Sequence, residues 1–374
     1  MIYIHVPFCH RKCTYCAFYS VVASACPQDY VDALCQEIRI RANYIPTHSP
    51  HTVYFGGGTP SMLSERQLDQ IFETLGRVYD LSALEEVTME CNPEDLTDDY
   101  LRSLRRVSFV NRLSVGVQSF DDGLLHQLNR RHRAEDVTEG LQRIEQYGFQ
   151  NVSVDLIYGI PGLSTASWVR TLEQVAVLPS CVKHLSCYAL TQEPNTMFDR
   201  QVRMGRLSPA HEDEVVRQYE TLLQWCSDTG WEQYEVSNFA KLGFRSRHNS
   251  RYWNRTPYLG VGAAAHSFDG TSRRWNVSDV AIYTASTLAR HTEYEDEELT
   301  LCDAFNEYLM TALRVVDGID KRLVPLPFAD YLKEKIQQPI RLGLIEETPT
   351  HYRPTRRGLM QADGLTVELM MLPE

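Results

Sequence analysis

Cys9-His10-Arg11-Lys12-Cys13-Thr14-Tyr15-Cys16-Ala17-Phe18 places three cysteines within eight residues, at spacings of four and three. A structural zinc site closes with four protein ligands, and the nearest extra donor, His10, sits beside Cys9 and is badly directed for the same ion. Three thiolates on a [4Fe-4S] cluster leave one iron without a protein ligand. The stretch reads as an open-sited cluster loop, and the elements around it decide the fold.

The loop follows a strand candidate, Ile2 to Val6. Further strand candidates are Thr52 to Phe55, Glu86 to Glu90, Arg112 to Val117, Val152 to Tyr158, His184 to Tyr188 and Gln233 to Val236. Between them lie apolar residues at helical spacing, such as Tyr30, Val31, Leu34, Ile38 and Leu68, Ile71, Phe72, Leu75, with caps at Ser64 and Thr97. Six or so strand-helix units in a row predict an α/β fold, a parallel sheet curved into an open or partial (β/α)6 barrel, with function where strands end. The acidic run Glu293 to Glu298 reads as a solvated linker or helix start. Helices over Cys302 to Val316 and about Pro327 to Leu344, then short strands near Gly343, His351 and Leu365, predict a small C-terminal α+β domain of winged-helix type. The expected division is 1–290 and 291–374, with an extension over about 235–285.

The chain has 374 residues, 43% hydrophobic and 23% charged, enough for a large domain plus a small one. A net charge of −12 argues against nucleic acid as a partner, since that affinity comes from clustered Lys and Arg. No export signal and no membrane-length apolar run is read, so a cytoplasmic protein with at most peripheral membrane contact is expected. Thiols stay reduced in that compartment, and the seven scattered cysteines read as mostly small buried residues.

Phe55-Gly56-Gly57-Gly58-Thr59-Pro60 ends the second strand. Glu90 and Gln118 end the third and fourth, and Asp155 lies in the fifth. Glycines let backbone approach a ligand, although a tight turn needs none. Polar residues at successive strand ends suit one shared ligand, although each alone could be a cap or structural hydrogen bond. Arg130 could pair with a carboxylate. Taken with the cysteine spacing, the chain resembles the radical SAM superfamily. The resemblance implies S-adenosylmethionine (SAM) chelating the vacant iron, with the binding residues falling on Tyr3, Tyr15, Gly57, Gly58, Thr59, Glu90, Gln118, Arg130, Asp155 and Ala189.

Tyr-Ile-His-Val-Pro-Phe-Cys, Phe-Gly-Gly-Gly-Thr-Pro-Ser, Gly-Val-Gln-Ser-Phe and Asp-Leu-Ile-Tyr-Gly-Ile-Pro-Gly together resemble one branch. It holds the oxygen-independent coproporphyrinogen III dehydrogenases and the related heme chaperones. The dehydrogenases typically carry a further cysteine where this chain has Phe18, and tens of residues before the position of Tyr3. Both departures favour the chaperones. So does His248-Asn249-Ser-Arg-Tyr252-Trp253, which fits their His-Asn-x-x-Tyr-Trp motif and makes His248, Asn249, Tyr252 and Trp253 the expected heme contacts. Arg245, Arg247, Arg251 and Arg255 are expected near the propionates. The alternative is that the motif packs the barrel and His248 is structural. His266 is a second candidate, as ligand or core. The implied partners are heme, acceptor hemoproteins and a low-potential electron donor such as flavodoxin or ferredoxin. The rival implications are radical decarboxylation of coproporphyrinogen III and another radical SAM reaction.

Overall fold

Six strands alternate an apolar residue with a polar one, and that alternation builds the scaffold. In the computed structural model, which describes residues 1–107 and 109–371, they are β1 (Ile2–Val6), β2 (Thr52–Gly57), β3 (Glu86–Cys91), β4 (Arg112–Gln118), β5 (Val152–Tyr158) and β6 (Val182–Ala189). Strands β7 (Glu232–Gln233), β8 (Asn238–Ala240) and β9 (Leu259–Val261) extend the sheet, whose order is β9-β1-β2-β3-β4-β5-β6-β8-β7. Every neighbour from β9 to β6 is parallel, and β8 and β7 run antiparallel. Among the described residues β9 and β7 remain edges, so the barrel is partial, as expected, and open.

The apolar set, including Ile2, Ile4, Val53, Phe55, Val87, Met89, Leu113, Val115, Val154 and Leu156, is fully buried under the outer helices. The helix Gln28–Ile40 buries Tyr30, Val31, Leu34 and Ile38 there. The helix Glu65–Val78 starts at the predicted cap, with Ser64 and Gln67 forming a reciprocal capping box. The alternate residues face inward and meet across the lumen: Tyr54 with Glu90, Ser114 with Asp155, Ser153 with His184. Glu90, Asp155, Tyr3 and Tyr54 lie deep yet keep part of their surface accessible, so the lumen is a polar cavity rather than a packed core.

A second sheet, β10 (His266–Phe268), β11 (Ser272–Asn276) and β12 (Tyr294–Glu298), is antiparallel and rests against β9. Strand β12 replaces the expected linker. Its residues are all exposed, and it pairs with the basic β11, where Arg274 reaches Asp296 and lies over the Tyr294 ring. The C-terminal unit has its own core, from Phe305 to Leu369, and a three-stranded sheet of β13 (Ile319–Asp320), β14 (Ile345–Glu347) and β15 (His351–Pro354), ordered β13-β15-β14. The strand expected near Leu365 is instead a helix, Ala362–Leu369. Its buried residues Ala362, Leu365, Thr366 and Leu369 follow helical spacing, which outweighs the alternation of Leu365-Thr-Val-Glu. No described helix is long and apolar enough to cross a membrane.

Candidate functional site

The loop after β1 is tied down at several points. Thr14 N–H donates to Leu128 O (3.1 Å), Asn129 Nδ2 to Lys12 O (2.7 Å) and Phe198 N–H to Thr14 O (2.8 Å). Cys9, Cys13 and Cys16 are half-buried free thiols. Burial raises the pKa of Cys9 and of Cys16, and both also sense Cys13. Among the described residues no three His, Cys, Asp or Glu side chains gather round a point that a single ion would fill. A cubane makes a different demand, since each thiolate takes a separate iron at its own corner. Three thiols on one tethered loop, with Cys9 and Cys16 each near enough to sense Cys13, suit that donor set.

The strand ends bring the other predicted residues to the same mouth. Arg130 places Nη1 3.4 Å from Cys13 Sγ, and Nη2 donates to Asn92 Oδ1 (2.6 Å) and Gly116 O (2.8 Å). Its Nε is buried without a partner among the described residues. That orphan donor beside the cluster loop is what an incoming carboxylate would satisfy. Tyr15, against the same guanidinium, is raised in pKa by burial. Gln118 ends β4 with φ 66°, where a register shift re-aims its side chain. Ala189 ends β6, and Thr59 is buried and accepts from Asn92 Nδ2 (3.3 Å).

Glu90 is the acid of this mouth. Tyr54 Oη donates to its Oε1 (2.7 Å) and Gly57 N–H to its Oε2 (3.1 Å), while burial pushes its pKa up to about 7. Asp155, on β5, is also raised by burial and accepts from Ser114 and Ser153. The glycines have a reason apart from ligand approach. A Cβ on Gly57 (φ 111°) would stand 2.5 Å from the His5 ring, and one on Gly58 2.7 Å from Phe8 O, so β2 can end against β1 only without side chains. Tyr3 stacks on Tyr54 and lies 2.9 Å from His5 Nδ1.

The four residues of the His248 motif lie elsewhere. They occupy the helix Arg247–Trp253, whose backbone amides at Arg247 and His248 are capped by Glu86, the first residue of β3. His248 is fully buried, with Nδ1 2.8 Å from Thr52 Oγ1 and Nε2 3.2 Å from Tyr252 Oη. Its ring lies 5.1 Å from those of Tyr54 and Tyr252. Both nitrogens are taken, so in this conformation His248 is a satisfied structural imidazole, not a presented ligand. Asn249 donates its backbone N–H to the Ser246 cap, and Trp253 turns towards the C-terminal unit, 5.8 Å from the Arg314 guanidinium. The neighbouring arginines are committed: Arg247 and Arg251 to Glu85, Arg245 to Glu232, Arg255 to Glu307.

Sequence reasoning missed Asn92 and Tyr54, which hold Arg130 and Glu90. Both were within reach of inspection: Asn92-Pro93 marks the turn leaving β3, and Tyr54 occupies the polar phase of β2.

Comparison with known proteins agrees with this architecture. The radical SAM superfamily profile matches residues 3–175, and the HemN C-terminal domain profile matches residues 299–360. The heme chaperone HemW of Bacillus subtilis is 36% identical over 323 residues, covering 86% of this chain and 84% of that protein. The heme chaperone HemW of Mycobacterium tuberculosis is 31% identical over 374 residues, covering 99% and 94%. The structure of coproporphyrinogen III oxidase (HemN) from Escherichia coli superposes with a TM-score of 0.84 at 24% identity, over 99% of this chain and 89% of that one, which speaks for the fold alone. On the identity and coverage of its sequence relatives, the chain belongs to the radical SAM superfamily and, within its HemN-like family, to the HemW branch.

Proposed function

We propose that this protein is a cytoplasmic heme chaperone that binds heme and passes it to acceptor hemoproteins, and that it carries a [4Fe-4S] cluster and SAM. The observation that supports the cofactor part is the orphaned Arg130 Nε, buried beside Cys13 of the three-cysteine loop. The heme part is supported by the sequence relatives just described. Cys9, Cys13 and Cys16 would hold the cluster. Arg130 would take the SAM carboxylate, Glu90 its ammonium and Tyr15 the adenine face, with Tyr3, Gly57, Gly58, Thr59, Gln118, Asp155 and Ala189 shaping the rest. Once bound, the cluster and SAM would supply one-electron chemistry, fed by a donor such as flavodoxin or ferredoxin. The chain's own part is to orient SAM by a cation and an acid at opposite ends and to exclude bulk water from the lumen. We also propose that the boundary between barrel and C-terminal unit lies a little past the expected residue 290, after β12 ends at Glu298 and before the core that starts at Phe305.

The test is anaerobic reconstitution followed by three measurements. Iron and sulfide should each approach about four per chain, a cubane's complement. Hemin titration should give a Soret band, and mixing with an apo-hemoprotein should move that band to the acceptor. Coproporphyrinogen III should not be consumed under reducing conditions. Turnover of that substrate would replace the chaperone by a decarboxylase, and zinc in place of iron and sulfide would remove the cofactor assignment.

A further inference from the structure

His184 and Tyr234 are buried polar side chains of the lumen wall that take no part in the proposed cofactor contacts, and Ser153 joins them to Asp155, which does. The four form one line. Ser153 Oγ lies 3.3 Å from Asp155 Oδ1 and 2.7 Å from His184 Nδ1, and His184 Nε2 lies 2.8 Å from Tyr234 Oη. The sheet sets this register: a shift between Val152 and Ser153 brings His184, rather than Lys183, opposite Ser153. Tyr234 is fixed from both sides. Its N–H donates to Asn238 O (3.2 Å), and its carbonyl accepts from Val316 N–H of the C-terminal unit (3.2 Å).

With Asp155 ionised, the line carries its hydrogens in one direction. Ser153 has a single hydroxyl proton, and the carboxylate is the strongest acceptor in its reach, ahead of Ser186 Oγ at 3.4 Å. The 2.7 Å contact with His184 must then be closed by a proton on Nδ1, which leaves Nε2 bare to accept from the Tyr234 hydroxyl. The imidazole stays neutral, because burial, and after it the Arg112 guanidinium, holds its pKa well below the ordinary histidine value.

We propose that His184, acting through Ser153, is the positioning residue for the Asp155 carboxylate. Its Nδ1–H keeps the Ser153 hydroxyl turned towards Asp155, while Ser114 Oγ reaches the same carboxylate at 3.2 Å. Two donors thus hold the acid, and its remaining lone pairs are left to the lumen, where Asp155 keeps accessible surface. This rests on the SAM reading above: with the SAM carboxylate matched by Arg130 and its ammonium by Glu90, the ribose hydroxyls are the donors that remain for Asp155.

Two measurements test the role, and the first does not involve SAM. In ligand-free protein labelled with 15N-histidine, the imidazole signal lost in His184→Asn should show a proton on Nδ1 and a bare Nε2. A proton on Nε2 alone overturns the proposal while leaving SAM binding untouched. After anaerobic reconstitution, equilibrium dialysis should show SAM bound roughly tenfold less tightly by His184→Leu and by Ser153→Ala, and at most about twofold less again by the double variant, since both changes cut one line. His184→Asn, whose amide can still donate to Ser153, should stay within about threefold of the unaltered protein. Circular dichroism and urea unfolding check the fold, and Ser153→Ala against His184→Asn decides the matter if His184→Leu does not fold. A histidine that only packs the wall would lower the urea midpoint and leave SAM affinity unchanged, or give losses that multiply in the double variant; either result overturns the proposal. No SAM binding by the unaltered reconstituted protein overturns the cofactor reading and this role together.

Discussion

Replacing Glu90 by glutamine should stabilise the ligand-free protein at alkaline pH while weakening its hold on SAM. Burial raises this carboxyl from the ordinary glutamate value of 4.5 to about 7. Between those values the folded chain keeps a proton that the unfolded chain releases, so stability falls as pH rises through the window and the full penalty applies above about 7. At about 1.4 kcal/mol per pH unit the penalty is at most ~3 kcal/mol. Glutamine is nearly isosteric and has no charge to desolvate; its oxygen keeps the Tyr54 Oη bond while its NH2 cannot accept from Gly57 N–H, a loss that does not vary with pH. Its advantage over the parent should therefore grow by ~2 kcal/mol between about pH 5 and about pH 8.5. Urea unfolding followed by tryptophan fluorescence at the two pH values reads this directly. Equilibrium dialysis should show SAM bound roughly ten- to hundredfold less tightly, the worth of one charge-assisted hydrogen bond. A stability difference that does not change with pH would refute the reasoning, because the buried charge would then not be what the parent protein tolerates.

Arg130→Gln, which removes the guanidinium beside Cys13, should weaken SAM by roughly ten- to hundredfold in the same dialysis while leaving cluster iron in place. Gly57→Ala forces a side chain into φ 111° and against the His5 ring, and should cost at least ~2 kcal/mol, read as a lowered urea midpoint. His248→Ala leaves the Thr52 and Tyr252 hydroxyls unpaired and a hole under Tyr54, and should cost ~3 kcal/mol. Unchanged thermal unfolding in that variant would show that His248 is not the structural residue its contacts describe.

Much of the barrel was legible because its signals are local. Strand alternation located β1 to β5 to within a residue or two, and Ser64 and Thr97 cap the helices predicted from them. The mouth was legible because cluster loop, triple glycine, Glu90 and Gln118 each sit at a strand end, and a parallel sheet puts all such ends together. What failed depended on pairing across the chain. Tyr294 to Glu298 is a strand only because β11 lies beside it, and its acidic composition carries no trace of that partner. The motif around His248 looked like a ligand set in one dimension, and only the contact with Thr52, nearly two hundred residues earlier, shows the ring to be enclosed. His266 read as ambiguous because exposure is decided by the sheet edge on which β10 lies.

The polar lining of the lumen has a calorimetric consequence. A ligand captured among Tyr54, Glu90, Ser114 and Asp155 exchanges ordered water for hydrogen bonds and removes little hydrocarbon from solvent. Its association should be driven by enthalpy with only a slight change in heat capacity. A ligand held in this way would therefore be released progressively as the solution warms, at a rate set by that nearly constant enthalpy.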